Sequence, residues 1–390
     1  MDAPLTLGDR LRDVHNHVYA NEGIKQYARV SDEVIKLIFA KLMMDEGVAV
    51  DANLADSEIA TTARSAFQSA IEATRDIHAF EVGETLKLSD TAIAYAIRRL
   101  GTAVLRDHDP KGVAFQAILG PTLRGELGQF FTPDPVKTLL AHLTRPAEGD
   151  VCCDPASGTA GLLLEVRQFQ PASQVRAAEV DSALARLARL NLFLSGEDEP
   201  EVHRLDALYP MDELVQASSG RLGPECCDVV VSNPPFGSKG KVSSREILAD
   251  LRNVTGGKSS VAPEILFIER IAQLLRPGGR AGIVLPIGVL SNPSTSHVRR
   301  FLRSVGRIYA TVALPIETFK PTGNSVQAAI VFFERTAARP SGSYPVFRAI
   351  SQSIGYDHRG RPNELADTRQ ILDAWDAFRD EFAQEYAWGS

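Results

Sequence analysis

From residue 150 the chain repeats one unit, a short apolar run that stops on a polar side chain and is followed by a stretch of helical period. The runs are Asp150–Asp154, Val175–Val180, Val202–Leu205 and Asp228–Val231. Asp154, Glu179, Asp206 and Asn233 stand at or just past their ends. Runs of this length and β-branched content read as buried strands, and their alternation with helices leads to an open α/β sheet. Ligands of such sheets lie beyond the carboxyl ends of the strands. Four polar side chains are therefore expected to gather at one edge.

The turn after the first run is Pro155-Ala156-Ser157-Gly158-Thr159-Ala160-Gly161, followed by an apolar helix from Leu162. A strand, a glycine-rich turn and a helix bring backbone N–H groups close to a ligand. The spacing is not the G-x-G-x-x-G of dinucleotide binders. Glu179, some 20 residues on, suits two ribose hydroxyls, and Asp206 suits an adenine amino group. Together these point to a cofactor of adenosine type.

After the fourth run come Asn233-Pro234-Pro235-Phe236. The prolines end the strand and stiffen the turn. An amide oxygen, a fixed carbonyl and an aromatic face then suit a planar group bearing an NH2. Accepting both its protons bends the nitrogen towards sp3 and exposes its lone pair. A plain turn with a core Phe is the alternative that the four residues alone leave open.

Residues 1–112 have helical period throughout. Leu7, Leu11, Val14 and Val18 share a face, Ser31 can cap a helix ended by Gly47, Ile59, Phe67 and Ile71 mark a third, and Ser89 opens a fourth carrying Ile93, Ile97, Leu100 and Val104. Gly112–Pro135 is rich in Gly and Pro yet holds Phe115, Phe130 and Phe131, more aromatic than a flexible linker. Thr132 with Pro133 reads as a helix cap and first-turn proline. Beyond Phe236, Lys239, Lys241, Arg245, Arg252 and Lys258 outnumber the local acids and suit phosphates. A helix from Pro263 ends at Pro277-Gly278-Gly279. Strand Ala281–Leu285, helix Ser296–Leu302 and strands Ile308–Leu314 and Ser325–Phe333 follow, the last two antiparallel because their connection is too short for a crossover helix.

The net charge of −7 argues against gripping nucleic acid over the whole surface, but leaves room for one basic cleft. No apolar run is long enough to cross a bilayer and no signal peptide is apparent, so a cytoplasmic chain without membrane contact is expected. The pairs Cys152-Cys153 and Cys226-Cys227 point to opposite faces of a strand and are expected to be reduced and buried. His15 and His17 read as surface or cap residues, and no metal site is expected.

These residues resemble the N6-adenine DNA methyltransferases, and most of all the modification (M) subunits of type I restriction–modification systems. Gly128–Pro133 looks like the family's GxFxTP loop, Asp154–Gly161 its DPxxGTxG loop and Asn233–Phe236 its catalytic NPPF, while Phe319–Phe333 with Pro321-Thr322-Gly323 resembles its base-pocket segment. Ser157 and Ala160 stand where Cys and Gly are common. The resemblance implies a Rossmann-like S-adenosylmethionine-dependent methyltransferase sheet, mostly parallel with its last strand antiparallel. An all-helical domain (1–112) would precede the catalytic domain (113–340, with a lead-in loop and helix at 113–149), and a partly helical extension (341–390) would follow.

It also implies cofactor contacts from Phe130, Phe131, Thr132, Pro133, Asp154, Ser157, Gly158, Thr159, Gly161, Glu179 and Asp206. Catalysis would fall to Asn233, Pro234, Pro235 and Phe236, and substrate contacts to Phe319, as a second stacking face, Lys239 and Lys241. The acceptor would be a flipped-out adenine of double-stranded DNA. After Phe333 only about 57 residues remain, so either a specificity (S) subunit reads the target, with a restriction (R) subunit as a further partner, or the chain is a shortened one. Protein glutamine or RNA methylation with the same NPPF, and a non-catalytic cofactor-binding scaffold, stay open as alternatives.

Overall fold

The computed structural model describes residues 7–24, 27–47, 53–77, 79–101, 132–236, 240–322, 326–361, 363 and 365–384. The chain forms two compact units, Met1–Gln129 with Arg189–Pro200, and Phe130–Ala188 with Glu201–Ser390.

The first unit contains α1 (Leu7–Asn21), α2 (Tyr27–Gly47), α3 (Asp56–Ala73) and α4 (Asp90–Leu100). Their apolar stripes meet as the period predicts, with Val14, Val18, Ile38, Ile59, Phe67 and Ile93 fully buried or nearly so. Phe80 packs edge-on against Phe39 and Phe67. Ser89 caps α4 by accepting from the Ala92 N–H at 3.2 Å, and Gly101, at a positive φ of 65°, closes it. Val104 lies outside the described residues. Ser31 does not cap α2, which starts a turn earlier at Tyr27 with Val30 already buried. Of the two histidines, His15 departs from the surface position expected, while His17 is half-buried. His15 is buried and His17 stacks on Tyr95 at 3.8 Å.

The second unit is built on one sheet. In chain order it contains α5 (Asp134–Thr144), β1 (Val151–Asp154), α6 (Gly161–Phe169), β2 (Gln174–Glu179), α7 (Ser182–Leu194), which continues into the first unit, β3 (Glu201–Arg204), α8 (Met211–Ala217) and β4 (Cys227–Ser232). Then follow α9 (Arg245–Asp250), α10 (Pro263–Leu274), β5 (Leu275–Pro286), α11 (Ile287–Ser291), α12 (Ser296–Val305), β6 (Gly306–Ala313), β7 (Ala328–Arg335), β8 (Phe347–Ile350) and α13 (Thr368–Glu381). The strand order is β3-β2-β1-β4-β5-β7-β6-β8. Strand β7 runs antiparallel to both neighbours, and every other pairing is parallel. This is the mostly parallel sheet with one antiparallel strand that the sequence predicts.

Two details differ. Helix α10 ends at Leu274, before Pro277, because Leu275 already pairs with Cys227 and a bulge carries the chain through Arg276–Gly279. An eighth strand, β8, adds to β6 in parallel, so residues 341–390 complete the sheet. Trp375 of α13, 1% exposed, packs against Phe347 of β8 and Tyr309 of β6.

Helix α5 lies close on the sheet at Gly282, where an added Cβ would come within 2.6 Å of Leu140. Arg280, also from β5, donates to the Thr144 and Arg145 carbonyls at 2.7 and 2.8 Å and so satisfies the end of that helix. The cysteines are free, Cys226 half-buried and the other three buried, and burial raises the Cys152 thiol well above its usual range. Among the described residues no helix is long and apolar enough to cross a membrane, and no group of His, Cys, Asp or Glu could hold a metal ion.

Candidate active site

The strand order reverses between β1 and β4, which pair directly. The crevice of an open α/β sheet lies at such a switch point. The glycine-rich turn leaves β1 there, and Asn233–Phe236 leave β4 beside it.

Backbone geometry shapes the turn. Gly158 and Ala160 both take left-handed conformations, at φ of +54° and +64°. That is strained for Ala and suits Gly. Glu179, at the end of β2, holds the turn in place. One carboxylate oxygen accepts from the Gly158 N–H at 2.8 Å and the other from Asp181 at 2.9 Å. Burial raises its pKa, while those N–H bonds act to lower it. Ser157 is buried, and its hydroxyl has no hydrogen-bond partner among the described residues. Thr159 is buried beside it, and Gly161 opens α6. Asp206, half-buried, accepts from Leu208 N–H at 2.9 Å with one oxygen.

Asp154 is 1% exposed and faces inward. Its Oδ1 accepts from the Ala156 N–H at 3.0 Å and from the Ser232 hydroxyl at 2.8 Å. It therefore braces the turn against the last residue of β4. Burial pushes its carboxyl up to about 7, against the two bonds that favour its charged form. Since the folded value lies above the unfolded 3.8, the folded state keeps the proton across that window. The contribution of Asp154 to stability falls as pH rises from about 4 to about 7. Asn at this position has no charge and can accept both bonds. We expect Asp154→Asn to gain about 2–3 kcal/mol on the wild type between pH 5 and pH 8, read from urea midpoints at the two pH values. A constant difference between the chains would show that Asp154 titrates normally.

Asn233 is 9% exposed. Its Nδ2 donates to Thr132 Oγ1 at 3.1 Å, and its Oδ1 is buried without a hydrogen-bond partner among the described residues. A buried unpaired carbonyl oxygen costs about 1–3 kcal/mol, so this one is a feature that binding something would relieve. Thr132 is not the cap of α5. Pro133 occupies that position, with Pro135 in the first turn, and the threonine side chain reaches across to Asn233.

Pro234 is buried and Pro235 exposed. Phe236 is buried at 7%, and Phe319 in the short 3-10 helix Ile316–Thr322 is fully buried. Their rings meet edge to face, 5.6 Å apart at 78°. Phe319 thus has no open face for a second stacking contact and instead backs Phe236. Lys241 is exposed at the start of the following loop, as are Arg245, Arg252 and Lys258. Phe130, Phe131, Lys239 and Gly323 lie outside the described residues.

Two residues that the sequence did not single out tie the rims of the site together. Arg270 of α10 is fully buried and donates to the Tyr209 carbonyl at 2.6 Å and to Asp250 at 2.8 Å. It joins the loop after β3 to the end of α9. Its neighbour Glu269 accepts from Asn253 and from the Val254 N–H. The signal was present as two adjacent charges, Glu269 and Arg270, inside the otherwise apolar middle of α10. Ser232, the last residue of β4, was likewise not singled out by the sequence.

The N-6 DNA Methylase family model matches residues 116–389. The methylase subunit of the type I restriction enzyme StySPI of Salmonella potsdam is 29% identical over 231 residues, 55% of this chain and 42% of its own. The EcoKI methylase subunit of Escherichia coli K12 is 28% identical over 230 residues, with the same two shares. The chain thus spans about two fifths of the length of these curated relatives. Among solved structures, the type I restriction-modification methyltransferase subunit from Streptococcus thermophilus superposes with a TM-score of 0.67 over 95% of this chain and 92% of its own, at 18% identity. At that identity the likeness concerns the fold.

Proposed function

The chain belongs to the N-6 DNA methylase family, and from that membership we propose that it transfers a methyl group from S-adenosylmethionine to the N6 amino group of a flipped-out adenine in double-stranded DNA. The observation that carries this reading is the buried, unpartnered Oδ1 of Asn233 at the switch point of the sheet. An acceptor left open there awaits an N–H donor, and the amino group of a base is one.

The residues fit the cofactor. Glu179 keeps a free lone pair on each oxygen after binding the turn, enough for two neighbouring ribose hydroxyls. Asp206 has an oxygen to spare for an adenine amino group, and the Ser157 hydroxyl is unpaired. The left-handed Gly158 allows close backbone approach, with Thr159 and Gly161 leading into the helix. Pro133 stands at the head of α5, with Phe130 and Phe131 preceding it in the chain. Asp154 serves from beneath by holding the turn and Ser232. When bound, S-adenosylmethionine would supply an electrophilic methyl group on a sulfonium leaving group.

The protein's own task is alignment and charge distribution. Asn233 Oδ1 and the Pro234 carbonyl would accept hydrogen bonds from the two amino N–H groups and so direct the nitrogen lone pair towards the methyl group. Pro235 stiffens the turn. Flipping the base out costs roughly a few kcal/mol, and stacking on Phe236 offsets about 1–3 kcal/mol of it. Phe319 holds that ring at its edge. Lys239, Lys241, Arg245, Arg252 and Lys258 would meet phosphates beside the flipped base.

The matched relatives are methylase subunits of type I restriction enzymes, which supports a modification subunit that depends on a specificity subunit for target choice and assembles with a restriction subunit. Labelled S-adenosylmethionine offered with DNA, RNA and protein in parallel tests the acceptor class. Label in DNA is expected. Label in protein glutamine or in RNA alone would replace this reading with its rivals, and none at all with intact cofactor binding would leave a scaffold.

A further inference from the structure

We propose that Thr132 is the positioning residue that orients the catalytic amide of Asn233, an inference that rests on the methyltransferase reading above. An amide can present either its oxygen or its NH2 to the site. Only the oxygen accepts from an amino group, because an NH2 facing an NH2 repels it. Here Nδ2 is engaged by Thr132 Oγ1 at 3.1 Å, which leaves Oδ1 as the open atom. A hydroxyl accepts as readily as it donates, and in this arrangement it accepts.

The threonine is itself held on both sides. Pro133 follows it and restricts its backbone to extended conformations. The next residues open α5, whose far end is fixed by Arg280. On the other partner, Ser232 just before Asn233 is tied to Asp154. The amide is therefore set by two braces, one below from β1 and one across from the head of α5. Loss of the second leaves its rotation about χ2 undetermined, and displacement of a reacting group by about 1 Å costs on the order of 100-fold in rate.

Thr132→Val keeps the shape and removes the hydroxyl, whereas Thr132→Ser keeps the hydroxyl. We expect Thr132→Val to lower kcat by about 10–100-fold, with KM for DNA and Kd for S-adenosylmethionine within about threefold of wild type, and Thr132→Ser to restore kcat to within about threefold. A second readout needs no turnover. Thr132→Val should lower Tm in the wild-type background and leave it unchanged in an Asn233→Ala background, because the bond is already absent there. Full kcat for Thr132→Val, a loss confined to cofactor affinity, or the same Tm shift in both backgrounds would overturn the proposal. If the wild type methylates nothing, the methyltransferase reading fails, and the Tm comparison still decides whether the two side chains are coupled.

Discussion

Asn233→Ala is expected to lower methyl transfer by about 10²–10³-fold, the scale of losing one aimed hydrogen-bonding group in a closed site. Affinity for S-adenosylmethionine should stay within about threefold, because the cofactor's proposed contacts lie on the turn after β1 and on Glu179 and Asp206. The structure adds a second expectation. Asn233 Oδ1 is buried and unpaired, so the wild-type side chain carries a desolvation cost of about 1–3 kcal/mol that alanine removes. The lost bond to Thr132 gives back about 1 kcal/mol. The variant should therefore be as stable as the wild type or up to about 2 kcal/mol more stable while inactive, the usual mark of a residue kept for activity. Thermal melts, isothermal titration with the cofactor and initial rates on unmodified DNA give the three numbers. Near-normal turnover would remove Asn233 from the mechanism, and loss of cofactor binding would move it into the cofactor site.

Arg270→Ala is expected to lower stability by about 3–5 kcal/mol, the cost of removing one partner from a buried ion pair. The guanidinium is fully buried, while Asp250 is 23% exposed and can regain some water, which places the loss near the lower figure. The variant also strands the Tyr209 carbonyl and leaves a cavity under the two loops. A Tm fall of roughly 6–12 °C corresponds to this loss for a domain of this size. Replacing the pair together, as Arg270→Met with Asp250→Leu, should recover much of it, because no unpaired charge then remains. Equal losses for the single and double variants would show that the pair itself contributes little beyond packing. The Tyr209 loop follows Asp206, and the Asp250 loop follows Phe236. The single variant should therefore also weaken cofactor binding, although Arg270 touches neither proposed ligand.

Much of the second unit was legible because each strand end declares itself twice. A short β-branched run gives the strand, and the polar residue that stops it gives the rim. Glu179 at the end of β2 and Asn233 just past the end of β4 are placed this way. The first-unit helices were legible from their apolar period. What escaped depends on contacts distant in sequence. Thr132 before a proline reads locally as a cap, and nothing near it points to Asn233, 101 residues on. Ser31-Asp32-Glu33 reads as a helix start, yet the residues before it already continue the helix. Strand β8 is four residues long, with Arg348 and Ile350 exposed, and gains its place only from pairing with β6 and from the Trp375 cluster. Phe319 was expected to offer a face because it lies in the base-pocket segment. The sequence could not show that its ring would be spent on backing Phe236.

The most direct measurement is methyl transfer from labelled S-adenosylmethionine to unmodified genomic DNA, with the nucleosides resolved afterwards, for the chain alone and with a specificity subunit added. The account predicts label in N6-methyladenine, dependent on the added subunit. Label in methylcytosine, or none in DNA under either condition while the cofactor still binds, would contradict it.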